Sequence, residues 1–365
     1  MRILVLGDLS SFHTPRWVEA LRTFLEDGEV YALSLEQFES SHAQDRYVLP
    51  RISYPRFRYL AALDRVNRAI REIQPDVLNP IHLPNYGLLA SFCDQNLPVY
   101  LHLWGSDILE TAKKSPIHRL LSYHILHQAD HLAVDAEVMK EVVVRDFGYP
   151  PDRVTVMTWG VPEPLRTRPL PAWTPPEKWR IVSHRRFEPH IDPQVVLEAF
   201  ARVLEVRQDV ELVMASEGSL LDAMKAYAQT LGIVNFVRFP GRLERNELLD
   251  LLASGHLYVS ASRIDSTSVS LLEAMALGLF PIVSDLPANR EWILDRFNGF
   301  LFPVGDAAAL AHHLLEAMAR PDHVAYVREV NKRLIQEKAC WECHVRKAIR
   351  TMQELVWARQ ASGNR

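Results

Sequence analysis

Residues Leu257–Gly278 read LYVSASRIDSTSVSLLEAMALG. The apolar run Leu257–Ser260 suits a short buried strand, and the polar stretch after it leads into a helical pattern. Asp265 falls in the loop and Glu273 inside the first turns of the helix. Ser266, Thr267, Ser268 and Ser270 supply candidate N-caps, and the free N–H groups of a helix start carry partial positive charge that suits a diphosphate. Two acids could then hold hydroxyl groups of the same ligand. A second reading stays open: Ser270-x-x-Glu273 also matches a capping box, in which both side chains only satisfy helix-end amides.

The alternation of short apolar runs with longer helical patterns continues in both directions, which argues for parallel sheets covered by helices. Towards the N-terminus, Ile3–Leu6, Val30–Leu33, Val77–Leu78, Val99–Leu103, His131–Val134 and Val154–Met157 read as strands, and Leu63, Val66, Ile70 and Ile73 mark a crossover helix. Between Glu163 and Trp179 the pattern breaks into proline-rich EPLRTRPLPAWTPPEKW, the best domain boundary in the chain. A second series follows with Arg180–Ser183, Glu211–Ala215, Val234–Phe239, Leu257–Ser260 and Ile282–Ser284. The expected organisation is 1–165 as one Rossmann-like domain, 178–340 as another, and 341–365 as a helix returning to the first. Ligands of open α/β sheets sit at the carboxyl ends of strands, so two halves facing each other would form a deep cleft.

Composition narrows the function classes. The 365 residues are 48% hydrophobic and 24% charged with a net charge of −4, which gives no global pull towards nucleic acid. No apolar run approaches the roughly 20 residues that span a bilayer. The start MRILVLGD enters a strand pattern directly, so the reading is a cytoplasmic protein. Cys93, Cys340 and Cys343 cannot make a disulfide framework. Cys340-Trp-Glu-Cys343-His344 matches a haem-attachment pattern, but it lies in a helical stretch from about Val324 to Ala358, where thiols three apart would simply share a face. No metal or other cofactor is expected.

Several further loops carry candidate ligand groups. GDLSSFHTPRW places Ser10, Ser11, His13 and Arg16 at a strand-to-helix turn, with ordinary capping as the alternative role for the serines. VYLHLWGSDI puts His102 at a strand end and Asp107 five residues on, with core packing as the competing role for the histidine. SHRRFEPHID sets Arg185 and Arg186 just after a strand, where guanidinium groups bind phosphate oxygens in pairs. Ser216-Glu217-Gly218-Ser219 and Pro240-Gly241-Arg242 place small residues where a ligand could approach the backbone.

These landmarks together resemble the retaining, metal-independent GT-B glycosyltransferases of group 1, the glycosyltransferase family 4-like proteins. The resemblance runs in order through HTPRW, HLWGSDI, TVMTWGV, SHRRFEP, ASEGSLL, FPGRL, DSTSVSLLEAMALG and NGFLFPVGD. The family's E-x7-E appears here as Asp265-x7-Glu273. The resemblance implies that Glu273 holds the ribose and Asp265 the donor sugar hydroxyls. It implies further that Thr267, Ser268, Val269 and Ser270 meet sugar and phosphate through their amides, that Gly218, Gly241 and Arg242 line the donor, and that His102 lies near the reacting carbon. Two departures stand out. The family pairs an arginine with a lysine five residues later, and counting from Arg186 reaches Ile191, with His190 beside it. The family's G-x-G-P loop is Ser216-Glu217-Gly218-Ser219.

The function implied is transfer of a sugar from a nucleotide diphosphate, a UDP- or GDP-sugar, to an acceptor hydroxyl with retention of configuration. The alternatives are a sugar-nucleotide epimerase and a nucleotide-sugar-binding protein without turnover. Between Arg51 and Arg71 six arginines accompany one acid, Asp64. That stretch reads either as a solvated charged face or as a peripheral contact with anionic lipid, which would suit a lipid-linked acceptor at the inner face of the membrane.

Overall fold

The computed structural model describes residues 1–11, 13–38, 40, 42–47, 58–93 and 97–363. The chain forms two compact units, Met1–Thr158 with Glu342–Arg365, and Trp159–Trp341.

In the first unit, β1 (Arg2–Leu6), β2 (Glu29–Ser34), β3 (Asp45–Tyr47) and β4 (Val77–Pro80) form a sheet in the order β3-β2-β1-β4. β5 (Tyr100–His102), β6 (His131–Val134) and β7 (Val154–Val156) follow, and the parallel bridges Leu78 to Val99 and Ile81 to His102 join them to β4. Ile3 pairs with Val30 on one side and Val77 on the other, and every pairing is parallel. Ile3, Leu4, Val5 and Leu6 are fully buried, as a central parallel strand covered on both faces requires. The crossover helix is Leu63–Ile73, and it buries Val66, Ala69, Ile70 and Ile73.

The second unit holds β8 (Trp179–Ser183), β9 (Val210–Met214), β10 (Val237–Arg238), β11 (Leu257–Ser260), β12 (Phe280–Ser284) and β13 (Phe300–Phe302), in the order β10-β9-β8-β11-β12-β13. All are parallel. Strand order reverses between β8 and β11, so the loops leaving these two strands diverge at a topological switch point, where open α/β sheets bind ligands. The proline-rich stretch packs with this unit. Trp173 lies against Trp179 and His256, the Arg328 guanidinium sits 4.7 Å above the Trp173 ring, and the Lys332 ammonium donates to Leu165 O and Ala276 O.

Three expectations are corrected. The strand expected over Val234–Phe239 begins as a 3-10 turn, Val234–Phe236, and only Val237–Arg238 pairs. The helix expected over Val324–Ala358 is interrupted between Lys338 and Trp341. There the Val161 amide donates to Ala339 O at 2.7 Å and Cys340 bridges to Val161, which pulls this short piece of backbone out of helical pairing. A β-carbon on Gly160, at φ +54°, would meet Ala339 O and Trp341 N at 2.9 Å, so glycine permits this approach. Cys340 and Cys343 are disulfide-bonded rather than idle on one helix face, and Cys93 is free.

Candidate functional site

The second unit gathers most of the predicted residues at the β8/β11 switch. Arg185, two residues past β8, is mostly buried, and its guanidinium is spread across the loop that follows β11. Nη2 meets Asp265 Oδ2 at 2.5 Å and Ser262 Oγ at 3.2 Å; Nη1 donates to Ser268 Oγ at 2.6 Å and Ser270 Oγ at 3.1 Å. Burial pushes the Asp265 carboxyl above the usual carboxylate range, although Arg185 and His190 pull it back.

Ser268 is the N-cap of helix Val269–Ala276, and its hydroxyl accepts from the Leu271 amide. Ser270 is inside the helix and bonds to the Tyr258 hydroxyl and to Ser268. The capping-box reading therefore fails: the cap lies two residues earlier, and Glu273 is too far along to reach back to it. Instead the Glu273 carboxylate, 4% exposed, meets Arg245 Nη1 at 2.8 Å and faces His184 Nε2 at 3.7 Å. Burial alone would raise its pKa, but His184 and Arg245 outweigh that and hold it below the usual range. At 3.7 Å the imidazole is within ion-pair reach and too far for a hydrogen bond; among the described residues neither His184 ring nitrogen has a hydrogen-bond partner.

The surrounding loops are docked onto this centre. The Phe187 amide donates to Glu217 O and the Leu220 amide to Phe187 O, which fixes Glu217–Leu220 against the Arg185 loop. Gly218, at φ +152°, lies so close that a β-carbon would meet the Phe187 backbone at 2.5 Å. Arg186 points outward, 62% exposed, near Glu188 and Glu217, and Arg242 also reaches Glu217. Gly241 adopts φ +78° in an open turn with no neighbour for a β-carbon. The two neighbouring arginines are thus distinguished: Arg185 belongs to the centre and Arg186 to its rim. Counted from Arg185, five residues lead to His190, an exposed imidazole on the Asp265 side. His184 and Arg245 were missed as neighbours of Glu273, and His190 was noted only as lying beside Ile191. Their signal was weak, since a histidine between a strand and an arginine, or an arginine opening a helix, has many ordinary uses.

The first unit places its candidates differently. In the loop after β1, Asp8 Oδ1 accepts from the Ser10 amide and hydroxyl, and the Ser11 hydroxyl donates to Asp8 O, so both serines build their own turn. His13 opens helix His13–Phe24, which also carries Arg16, and its ring stands edge-on to Trp104 at 5.2 Å. His102, 3% exposed, packs edge-on against Trp17 at 4.5 Å and Tyr100 at 5.5 Å. Among the described residues neither of its ring nitrogens is hydrogen-bonded, and burial drives its pKa down to about 3, so the ring is neutral. Asp107 is fully buried, and its carboxylate accepts from the Leu83, Trp104 and Ile108 amides, which makes it a clamp on the loop after β5. His82, two residues past β4, holds φ +76° beside Trp104; such strain in a non-glycine residue often marks a functional loop, and sequence reasoning gave no sign of it. Of the Arg51–Arg71 stretch, residues 51–57 lie outside the described residues, and Arg65, Arg68 and Arg71 ride on helix Leu63–Ile73.

Among the described residues, the His/Cys/Asp/Glu cluster with metal-like spacing is His312, His313 and Glu316 on helix Ala307–Met318. Glu316 Oε1 already meets Arg296 and Arg320 at 3.0 Å each, so two cations balance the carboxylate. Neither Asp265 nor Glu273 belongs to it.

Comparison with known proteins follows the same division. Residues 172–337 match the family described as Glycosyl transferases group 1, and residues 2–136 match Glycosyl transferase 4-like. The chain belongs to the group 1, glycosyltransferase 4-like family with a GT-B fold. The phosphatidyl-myo-inositol mannosyltransferase of Mycobacterium leprae is 34% identical over 136 residues, 37% of this chain and 35% of that protein. The alpha-monoglucosyldiacylglycerol synthase of Streptococcus pneumoniae is 35% identical over 130 residues, 35% of this chain and 29% of that protein. These alignments therefore span about a third of the length of the curated relatives. Sucrose-phosphate synthase from Thermosynechococcus elongatus superimposes with a TM-score of 0.83 at 14% identity, covering 98% of this chain and 100% of that one. Anabaena HepE in complex with UDP and glucose does so with a TM-score of 0.80 at 14% identity, covering 97% and 99%.

Proposed function

We propose that this chain transfers a sugar from a nucleotide diphosphate to an acceptor hydroxyl, with retention of configuration and without a metal ion. The observation that carries this reading is the Arg185, Asp265, Ser268 and Ser270 network at the β8/β11 switch, with Glu273 one helix turn away. Arg185 and the amides opening helix Val269–Ala276 would meet the diphosphate and stabilise it as it leaves. Asp265 would meet hydroxyls of the donor sugar. Glu273, kept ionised beside Arg245 and His184, is an acceptor for the two ribose hydroxyls. The retaining course rests on the family resemblance, and metal independence on a sequence with no Asp-x-Asp pair at a strand end.

The donor is read as a UDP- or GDP-sugar; HepE, whose solved structure holds UDP and glucose, supports the first. The acceptor is read as lipid-linked, because two relatives carry lipids in their names, phosphatidyl-myo-inositol in a mannosyltransferase and monoglucosyldiacylglycerol in a synthase. Work at the inner face of a membrane fits that reading; among the described residues no helix is long and apolar enough to cross one. The test is incubation with labelled donors and a lipid extract, followed by proton NMR of the product linkage. An α-linked product from an α-linked donor, formed equally in chelator, is the expected result. Inverted linkage, epimerised donor without transfer, or no turnover with any donor would each overturn the reading.

A further inference from the structure

Helix Pro116–Gln128 carries two apolar stripes, and the first unit uses only one. Ser122, Ile125, Leu126 and the following Ala129 are buried, as a helix resting on a sheet requires. A second i, i+3, i+4 set, Ile117, Leu120 and Leu121, faces outward with exposures of 70%, 69% and 42%. Tyr123, at 49%, borders the stripe, and Phe92, at 45%, lies against the ring of His124, which continues it. Large apolar side chains gathered this way on one surface mark a contact site more often than scattered ones do.

The charge pattern selects the occupant. From Thr111 to Ala129 there is no acidic residue, while Lys113, Lys114 and Arg119 are fixed cations beside His118, His124 and His127. Of the acids nearby, Asp146 is paired with Arg145, Asp130 accepts from the Val99 amide, and Glu110 stands exposed at the edge of the stretch. In a symmetric pair of chains the same cations would confront one another, which opposes self-association. An anionic lipid surface answers both features, with acyl chains for the apolar stripe and phosphate head groups for the lysines.

We infer that this helix docks the first unit onto anionic lipid bilayers. The inference deepens the lipid-acceptor reading and stands on a surface separate from the donor residues. The test is co-sedimentation of the full chain with phosphatidylcholine vesicles, with and without phosphatidylglycerol, at low salt. Binding should require the anionic lipid and fall at least about tenfold in the Ile117→Glu/Leu120→Glu double variant. Lys113→Glu/Lys114→Glu should weaken it by a similar factor and reduce its salt dependence. All four positions are exposed, so both variants should keep the wild-type unfolding midpoint and UDP-induced thermal shift.

A wild-type chain that stays in solution with anionic vesicles overturns the inference. So do variants that sediment like wild type, or a dimer in velocity ultracentrifugation that Leu120→Glu dissociates. Vesicle binding without any nucleotide-sugar effect would remove the transferase reading and leave the docking surface standing.

Discussion

Arg185 and Arg186 share a sequence neighbourhood and little else. The first is spread over a carboxylate and three hydroxyls, whereas the second is 62% exposed beside two rim acids. A cation held in place before charge develops opposite it stabilises a leaving group far more than a mobile, hydrated one. Arg185→Ala is therefore expected to lower kcat by about a hundredfold or more, and Arg186→Ala by less than about threefold, in a steady-state donor-turnover assay. Equal losses would mean that the diphosphate meets the rim. The two acids were legible because their spacing spans one loop and a helix start. The choice between adjacent arginines was not, since a shift of one residue decides which points inward. Glu273's partners come from separate elements, the loop after β8 and helix Arg245–Ala253, and no local pattern announces them.

Buried imidazoles supply a second prediction at this scale. Burial lowers His102 to about 3 and both His131 and His256 to about 4. Their folded pKa values lie below the unfolded value near 6.5, so the unfolded chain binds more protons as pH falls through that window. Stability should then be full above about pH 6.5 and decline towards pH 4. At pH 5 the fully buried His102 alone costs about 2 kcal/mol, with the standard unfolded pKa as reference, and the less enclosed His131 and His256 cost less. Urea midpoints measured from pH 7.5 to 5 check this; a flat profile would show that these rings are hydrated or protonated in the folded chain.

At the scale of elements, apolar runs revealed most strands because parallel strands buried on both faces must be continuously hydrophobic. The short strands β3 and β13 escaped notice. β3, Asp45–Tyr47, is a polar edge strand that needs no such run, and β13 is only three residues, Phe300–Phe302. The break before Trp341 was equally hidden, since it depends on Val161 pairing with backbone far along the chain. Gly218 shows how one element sets another: it lets the Glu217–Leu220 loop lie on the Phe187 backbone and so buttress the Arg185 loop. A methyl group there would sit 2.5 to 2.7 Å from backbone atoms that cannot swing away. Gly218→Ala is expected to cost about 1–3 kcal/mol in stability by forcing the loops apart. It should also weaken donor binding measurably by titration calorimetry. Gly241→Ala, strained only by its φ of +78° in open space, should cost about 1 kcal/mol and weaken donor binding less than Gly218→Ala does. Similar donor affinities for the two variants would show that loop docking does not position the arginine.

For the whole molecule, the residues assigned to the donor all fall within Trp159–Trp341, a unit with its own six-stranded sheet and core. Nucleotide recognition should therefore not wait for an acceptor. A panel of UDP-, GDP-, ADP- and dTDP-sugars, and of the bare diphosphates, is expected to raise the melting temperature with one base clearly preferred. A ligand at 100 times its Kd adds about 2.7 kcal/mol to the stability of the unit that binds it. For a unit of this size that corresponds to roughly 5–10 °C, an upward shift readable in a dye-monitored melt. Amide exchange with the preferred nucleotide should slow in the loops after β8, β9 and β11 and at the start of helix Val269–Ala276. The strands of the first unit should be unaffected. Because the diphosphate is assigned to Arg185 and helix amides, chelator should leave both the shift and the protection pattern unchanged. A shift that vanishes in EDTA and returns with Mn²⁺ would place the diphosphate on a metal ion, and the role given to Arg185 would then have to be withdrawn.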